Sequence, residues 1–158
     1  MENSNIWHFI QEFMDLHKVF VYGTLKQDEP NHYMLQNGGP DLEDFKSSKN
    51  QTFQPAKFIC KAETLQKYPL VIASKFNIPY LLDKPGTGHQ IQGEIYQIDD
   101  LLLKILDDFE GHPNYYLRRK ESVMHLSTDA AKAEKCWTYF LPKFKVELLE
   151  LQFLSDYR

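Results

Sequence analysis

Five consecutive residues, Asp107-Asp108-Phe109-Glu110-Gly111, place three carboxylates at the end of a predicted helix. A helix C-terminus carries partial negative charge, which disfavours an ionised carboxylate there. Asp107 and Glu110 stand at i, i+3 and share a face, so each penalises the charge on the other. Both effects push a carboxyl pKa upward, and an apolar wall beside it would add desolvation. Phe109 and the Tyr115-Tyr116 pair beyond Pro113 are candidates for that wall. A glutamate tuned toward neutrality suits general acid–base catalysis. A solvated acidic helix end is the plainer account of the same residues, and on the bare sequence it is the commoner one.

A second candidate is Tyr22-Gly23-Thr24-Leu25, directly after the apolar run Val19-Phe20-Val21-Tyr22. A glycine there lets the backbone turn sharply and approach a ligand closely. Amide N–H groups released from a sheet can then point at an anion or a developing oxyanion. Local sequence alone favours a simple strand-ending turn.

These residues need elements to hold them. Val19 to Tyr22 reads as a buried first strand. Further strands are expected at Phe58–Ala62, Pro69–Ala73, Ile78–Leu82, Ile91–Ile98, Arg118–Leu126 and Cys136–Leu141. Asp99-Asp100 should cap a helix over Leu101–Glu110, with Gly111 at its C′ position. Amphipathic spacing over Ile6–His17 predicts an N-terminal helix packed on its own core, and Val146–Phe153 is helix-like. Residues 36–54 read as a long polar loop, and residues 127–135 as a polar linker. Strands outnumber helices without regular alternation, which favours an α+β fold over α/β.

The whole chain bounds the function. Its 158 residues suit one domain with a real core. A net charge of −4 argues against a nucleic-acid binder. No apolar run approaches the roughly 20 residues that span a membrane, and the first residues lack a secretory pattern, so a cytoplasmic protein is expected. The histidines show no metal-ligand spacing, and Cys60 and Cys136 stand alone as buried, inert thiols, so neither metal nor cofactor is expected. There is no nucleophile elbow, P-loop or dinucleotide fingerprint, and Gly86-Thr87-Gly88 is a plain turn.

Taken in order, several segments resemble the gamma-glutamylaminecyclotransferase family. They are residues 17–26 followed by Pro30-Asn31-His32, Tyr68-Pro69-Leu70-Val71-Ile72, and Asn77-Ile78-Pro79-Tyr80-Leu81-Leu82. Pro85-Gly86-Thr87-Gly88, Gly93-Glu94-Ile95-Tyr96, Leu106-Asp107-Asp108-Phe109-Glu110 and Pro113-Asn114-Tyr115-Tyr116-Leu117-Arg118 continue the pattern. The resemblance spans about residues 18–141, with residues 1–17 as a helical extension to one domain over 18–158. It implies a small β-barrel flanked by helices and a metal-free enzyme. That enzyme would convert ε-(γ-glutamyl)-lysine, left when transglutaminase-crosslinked proteins are digested, into 5-oxoproline and free lysine. By position, Glu110 matches the catalytic glutamate and Tyr22, Gly23, Thr24 and Leu25 match the substrate loop. Ile78 and Tyr116 are expected to line the pocket. A γ-glutamylamine would be the ligand of a monomer with neither nucleic acid nor membrane as partner.

Two segments depart from the family pattern. Gln27-Asp28-Glu29 is more acidic than the usual Lys/Arg-Gly step, and Ser155-Asp156-Tyr157 is the expected remnant of a Ser-Tyr-type segment past which relatives run on, whereas the sequence here stops at Arg158. Three alternatives stay open at this level. One is a cyclotransferase for γ-glutamyl α-amino acids. Another is a non-catalytic binding module that uses the Ile6–His17 helix for docking. The third is a glycosidase, which would need a second acid about 5–9 Å from Glu110, with Glu94 or Asp108 as weak nominees.

Overall fold

The structure, a computed structural model, describes residues 15–126 and 131–158. The predicted N-terminal helix falls outside these residues up to position 14. At its predicted end the chain turns at Asp15, and His17 already pairs with Ile98 in a strand.

Five strands close into a barrel in the order β1-β5-β2-β6-β7. They are β1 (His17–Val21), β5 (His89–Ile98), β2 (Lys57–Tyr68), β6 (Leu117–His125) and β7 (Ala133–Phe140). All neighbours are antiparallel except β1 and β7, which meet in parallel with Val19 opposite Trp137. That contact closes the barrel and leaves no open edge between its first and last strands. A separate hairpin, β3 (Leu70–Ala73) with β4 (Ile78–Leu81), stands beside the barrel. The fold is α+β, a small mixed barrel flanked by helices.

The apolar run in β1 has a packing reason. Its side chains alternate between two cores, so both faces need apolar residues. Phe20 joins Ala62, Ile91, Ile95, Val123 and Phe140 inside the barrel. Val19 and Val21 face outward, against Leu102, Ile105 and Leu106 of helix α3 (Asp100–Glu110). The Asp99 side chain caps α3 by accepting from the Leu102 amide at 3.0 Å. The helix ends at Gly111, whose φ of +69° is the left-handed stop that glycine provides.

Other boundaries differ from the sequence reading. β2 continues six residues past Ala62, to Tyr68, through an irregularity between Glu63 and Lys67. The expected loop over residues 36–54 contains the end of α1 (Tyr33–Asn37) and all of α2 (Leu42–Phe45). Met34 and Leu35 of α1 are buried beside α3, so tertiary packing stabilises a turn too short to be helical alone. β7 begins at Ala133, inside the expected linker, because Ala133 and Glu134 find partners in Met124 and Val123. The last helix-like stretch is a 3₁₀ turn, Val146–Glu150.

Candidate active site

Glu110 is the last residue of α3, and Gly111 turns the chain immediately after it. Its half-buried side chain faces a cavity of about 250 Å³. Tyr22, Gly23, Thr24, Leu25, Ile78 and Tyr116 line the same cavity. Three distant stretches of chain therefore meet there: the segment after β1, the start of β4, and the region between α3 and β6. Phe109 and Tyr115 are also in the wall. Phe20, Val21, Asn31, Pro79, Tyr80 and Tyr139 line the cavity without having been singled out in the sequence. Alternation along β7 could have flagged Tyr139, which points out of the barrel toward α3. Asn31 lies inside the quoted Pro30-Asn31-His32 step.

The segment after β1 is a chain of turns. Lys26 N–H donates to the Gly23 carbonyl at 3.1 Å, and Asn31 N–H donates to the Thr24 carbonyl at 2.9 Å. The Asn31 side-chain amide donates to the Thr24 hydroxyl at 3.0 Å. A His32 ring nitrogen lies 2.9 Å from the Leu25 carbonyl. These bonds occupy carbonyls and side chains. Among the described residues, no protein acceptor takes the amide N–H of Gly23, Thr24 or Leu25. Gly23 is required by space: a Cβ there would stand 2.8 Å from Pro79 Cγ.

Burial pushes the Glu110 carboxyl from 4.5 up to about 7. Among the described residues no side chain hydrogen-bonds to it, so the carboxylate gains nothing to offset lost hydration. Of the three causes the sequence suggests, helix-end charge, like-charge repulsion and desolvation by an apolar wall, desolvation is the one that raises it. Asp107 points elsewhere, into a fork from Arg118, with Nε to Oδ1 at 2.8 Å and a second nitrogen to Oδ2 at 3.1 Å. The Tyr139 hydroxyl also donates to Asp107, at 2.8 Å. The phenols of Tyr22, Tyr116 and Tyr139 are all raised, first by burial, and the Glu110 charge adds to each. Three tyrosines thus lie within electrostatic reach of one carboxyl. Tyr22 donates to the Tyr139 carbonyl at 2.6 Å, and Tyr116 donates to the Pro79 carbonyl at 3.3 Å. At the outer wall Tyr80 and Tyr115 share a hydrogen bond that, with burial, pushes the Tyr115 phenol to about 12.

The two weak nominees for a second acid are not in this cavity. Glu94 accepts from the Gln27 amide at 2.9 Å and from the Tyr96 hydroxyl at 3.0 Å, and it lines a different cleft. Asp108 is exposed. Among the described residues Glu110 is the one carboxylate that lines the cavity, and no Lys, Arg or His among them lines it. Among the described residues no three His, Cys, Asp or Glu side chains converge as metal ligands would. No helix among them is long and apolar enough to cross a membrane.

A family model described as "Gamma-glutamyl cyclotransferase, AIG2-like" matches residues 19–158. The chain belongs to that cyclotransferase family. It is 37% identical to the gamma-glutamylaminecyclotransferase of Homo sapiens over 147 residues, covering 88% of each chain. It is 41% identical over 142 residues to the Troponin C-akin-1 protein of Drosophila melanogaster, covering 90% of this chain and 76% of that one. A crystal structure of an AIG2-like protein from Mus musculus superposes with a TM-score of 0.77 at 34% identity, covering 90% of this chain and 88% of that one. The gamma-glutamyl cyclotransferase family model therefore spans the barrel apart from His17 and Lys18, the hairpin and every described residue that lines the cavity.

Proposed function

We propose that the protein is a gamma-glutamylaminecyclotransferase whose general base and acid is Glu110. The observation that carries this reading is a carboxyl raised by burial to about 7, with no side-chain hydrogen bond, facing a cavity that is also lined by Gly23, Thr24 and Leu25, whose amides no protein acceptor among the described residues takes. The substrate brings its own nucleophile, the α-amine of a γ-glutamyl group. Glu110 takes a proton from that amine as it attacks the γ-carbonyl carbon and closes a five-membered ring. The carbonyl oxygen becomes an oxyanion, and the amides of Gly23 to Leu25 receive it. The C–N bond to the leaving amine then breaks, and Glu110 returns its proton to that nitrogen. The products are 5-oxoproline and a free amine. Ring closure is intramolecular, so positioning the folded-back chain removes most of the entropic barrier. No covalent enzyme intermediate is formed.

The preferred leaving group is the ε-amine of lysine, which fits a role in breaking down transglutaminase crosslinks. A γ-glutamyl α-amino acid would carry a carboxylate beside the scissile nitrogen, and the lining offers no basic side chain to meet it. The mirrored need of a glycosidase, a second acid, is also unmet. In this reading the enzyme works as a cytoplasmic monomer on a small molecule, with Ile78 and Tyr116 shaping the pocket.

Purified protein incubated with γ-glutamyl-ε-lysine should release 5-oxoproline, and Glu110→Gln should lower the rate by at least a thousandfold. Equal turnover in both proteins would remove Glu110 as the base. Turnover by neither would remove this substrate class and leave the binding-module alternative.

A further inference from the structure

We infer that Lys26, held by Asp156 and Tyr157, is a positioning residue that ties the two walls of the Glu110 cavity together and keeps it closed. Lys26 directly follows the Gly23–Leu25 amides and is only 8% exposed. Burying an ammonium group is costly unless it is paired and hydrogen-bonded, so such a site is built rather than incidental. Both of its side-chain partners come from one segment. The Lys26 Nζ donates to Asp156 Oδ1 at 2.7 Å and to the Tyr157 carbonyl at 2.5 Å. The Lys26 and Arg158 cations hold Asp156 below the usual carboxylate range although burial opposes them.

Tyr157 carries the tie onward. It is 3% exposed and packs in the core that includes Phe20, Tyr22, Leu70 and Leu81. Its hydroxyl donates to the Asn77 carbonyl at 3.1 Å and lies 3.4 Å from the Asn77 side-chain amide. Asn77 sits at a φ of +56° and immediately precedes Ile78, a lining residue. The segment is itself pinned at two backbone points. Leu154 N–H donates to the Leu70 carbonyl, and Gln92 N–H donates to the Ser155 carbonyl, each at 2.8 Å. One short strap thus fixes both the amide-bearing turn after β1 and the hairpin wall opposite. Neither Lys26 nor Tyr157 lines the cavity.

This inference rests on Glu110 as the working group, and its test reads Glu110 without needing turnover. The protein would be labelled with carbon-13 at the glutamate side-chain carboxyls, and the Glu110 signal assigned by its loss in Glu110→Gln. The groups facing that carboxyl are the phenols of Tyr22, Tyr116 and Tyr139, which stay neutral across the titration. The Asp107 and Arg118 charges beside them remain paired with each other. In Lys26→Met and in Tyr157→Phe the walls separate and water reaches Glu110. Its midpoint should then fall from about 7 toward 4.5. Loss of the Lys26 charge alone would move the midpoint the opposite way, and Tyr157→Phe changes no charge. In the cyclotransferase assay kcat should fall on the order of tenfold or more, with a smaller change in KM, because misplaced donors cost rate. A Glu110 midpoint unchanged or raised in both variants overturns the strap. If Lys26→Met does not fold, Tyr157→Phe decides alone. If no γ-glutamylamine is turned over while the midpoint still falls, the strap stands and the substrate assignment is what failed.

Discussion

Replacing Glu110 with glutamine should abolish turnover and yet make the protein more stable at alkaline pH. Burial lifts the Glu110 pKa from 4.5 to about 7. The folded state therefore binds a proton more tightly than the unfolded state does. Between those two pH values the unfolded chain has released the proton and the folded one still holds it. Stability contributed by the neutral carboxyl is present in full below about 4.5, and it is lost as pH rises through about 7. At about 1.4 kcal/mol for each tenfold change in proton affinity, the ionised carboxylate costs the fold on the order of 3 kcal/mol at pH 8. Glutamine keeps the shape and cannot ionise. Denaturant unfolding of wild type and Glu110→Gln at pH 4.5 and pH 8 reads the difference directly. The two proteins should match within about 1 kcal/mol at pH 4.5. The variant should be more stable by about 3 kcal/mol at pH 8, equivalent to roughly 6–12 °C in Tm for a domain of this size. A constant difference at both pH values, or a variant weaker at pH 8, would refute the desolvation account of this carboxyl.

Arg118→Ala should cost about 2 kcal/mol of stability by stranding Asp107. The freed Asp107 charge should also move the acid limb of the pH–rate profile above 7, which initial rates across pH 5–9 would read. Gly23→Ala places a methyl 2.8 Å from a rigid proline ring, so thermal unfolding should show a loss of about 1–3 kcal/mol, accompanied by reduced turnover. Burial pushes the Cys136 thiol up to about 12, and Cys60 is buried with it. Neither should react with a thiol reagent at pH 8 until denaturant is added.

Features governed by nearby residues were legible in the sequence. The Asp99 cap and the Gly111 stop gave α3 its end at Glu110 and its start to within one residue, because both act within one turn of the helix. The unbroken run in Val19–Tyr22 followed from burial on two faces, whereas Ile91–Ile98 alternates in sequence and is still buried on both, with Ile91 and Ile95 in one core and Tyr96 and Ile98 in the other. Features governed by distant partners were not legible. Asp107 looked like a neighbour that would repel Glu110, since nothing local announces that Arg118, eleven residues on, will take its charge in a fork. The long β2 extends past its apolar stretch because β5 offers backbone partners up to His89. Likewise Lys26 reads as an ordinary surface cation until the chain returns, 130 residues later, to bury it. Motif order brought Glu110, the Tyr22–Leu25 segment, Ile78 and Tyr116 onto one list. Tyr80 and Tyr139 complete the lining; alternation marks the side of the strand on which each lies but not that the two strands bring them to one cavity.

The hairpin β3–β4 belongs to no barrel strand pair, and its two strands hydrogen-bond mainly to each other. The cavity is therefore assembled from two parts under unequal constraint. Glu110 and the turn after β1 are fixed by the closed barrel and by the helix packed on it, where a shift of register would turn core side chains to the wrong face. Ile78 and Tyr80 sit on a hairpin anchored by its buried Leu70, Val71 and Leu81 and by Tyr157 at Asn77, but their own half-buried side chains can change in size and polarity without retuning the barrel. Under the proposed function, reaction chemistry and choice of leaving amine can thus drift at different rates in descendants of this fold. Selectivity is the trait that substitution reaches first.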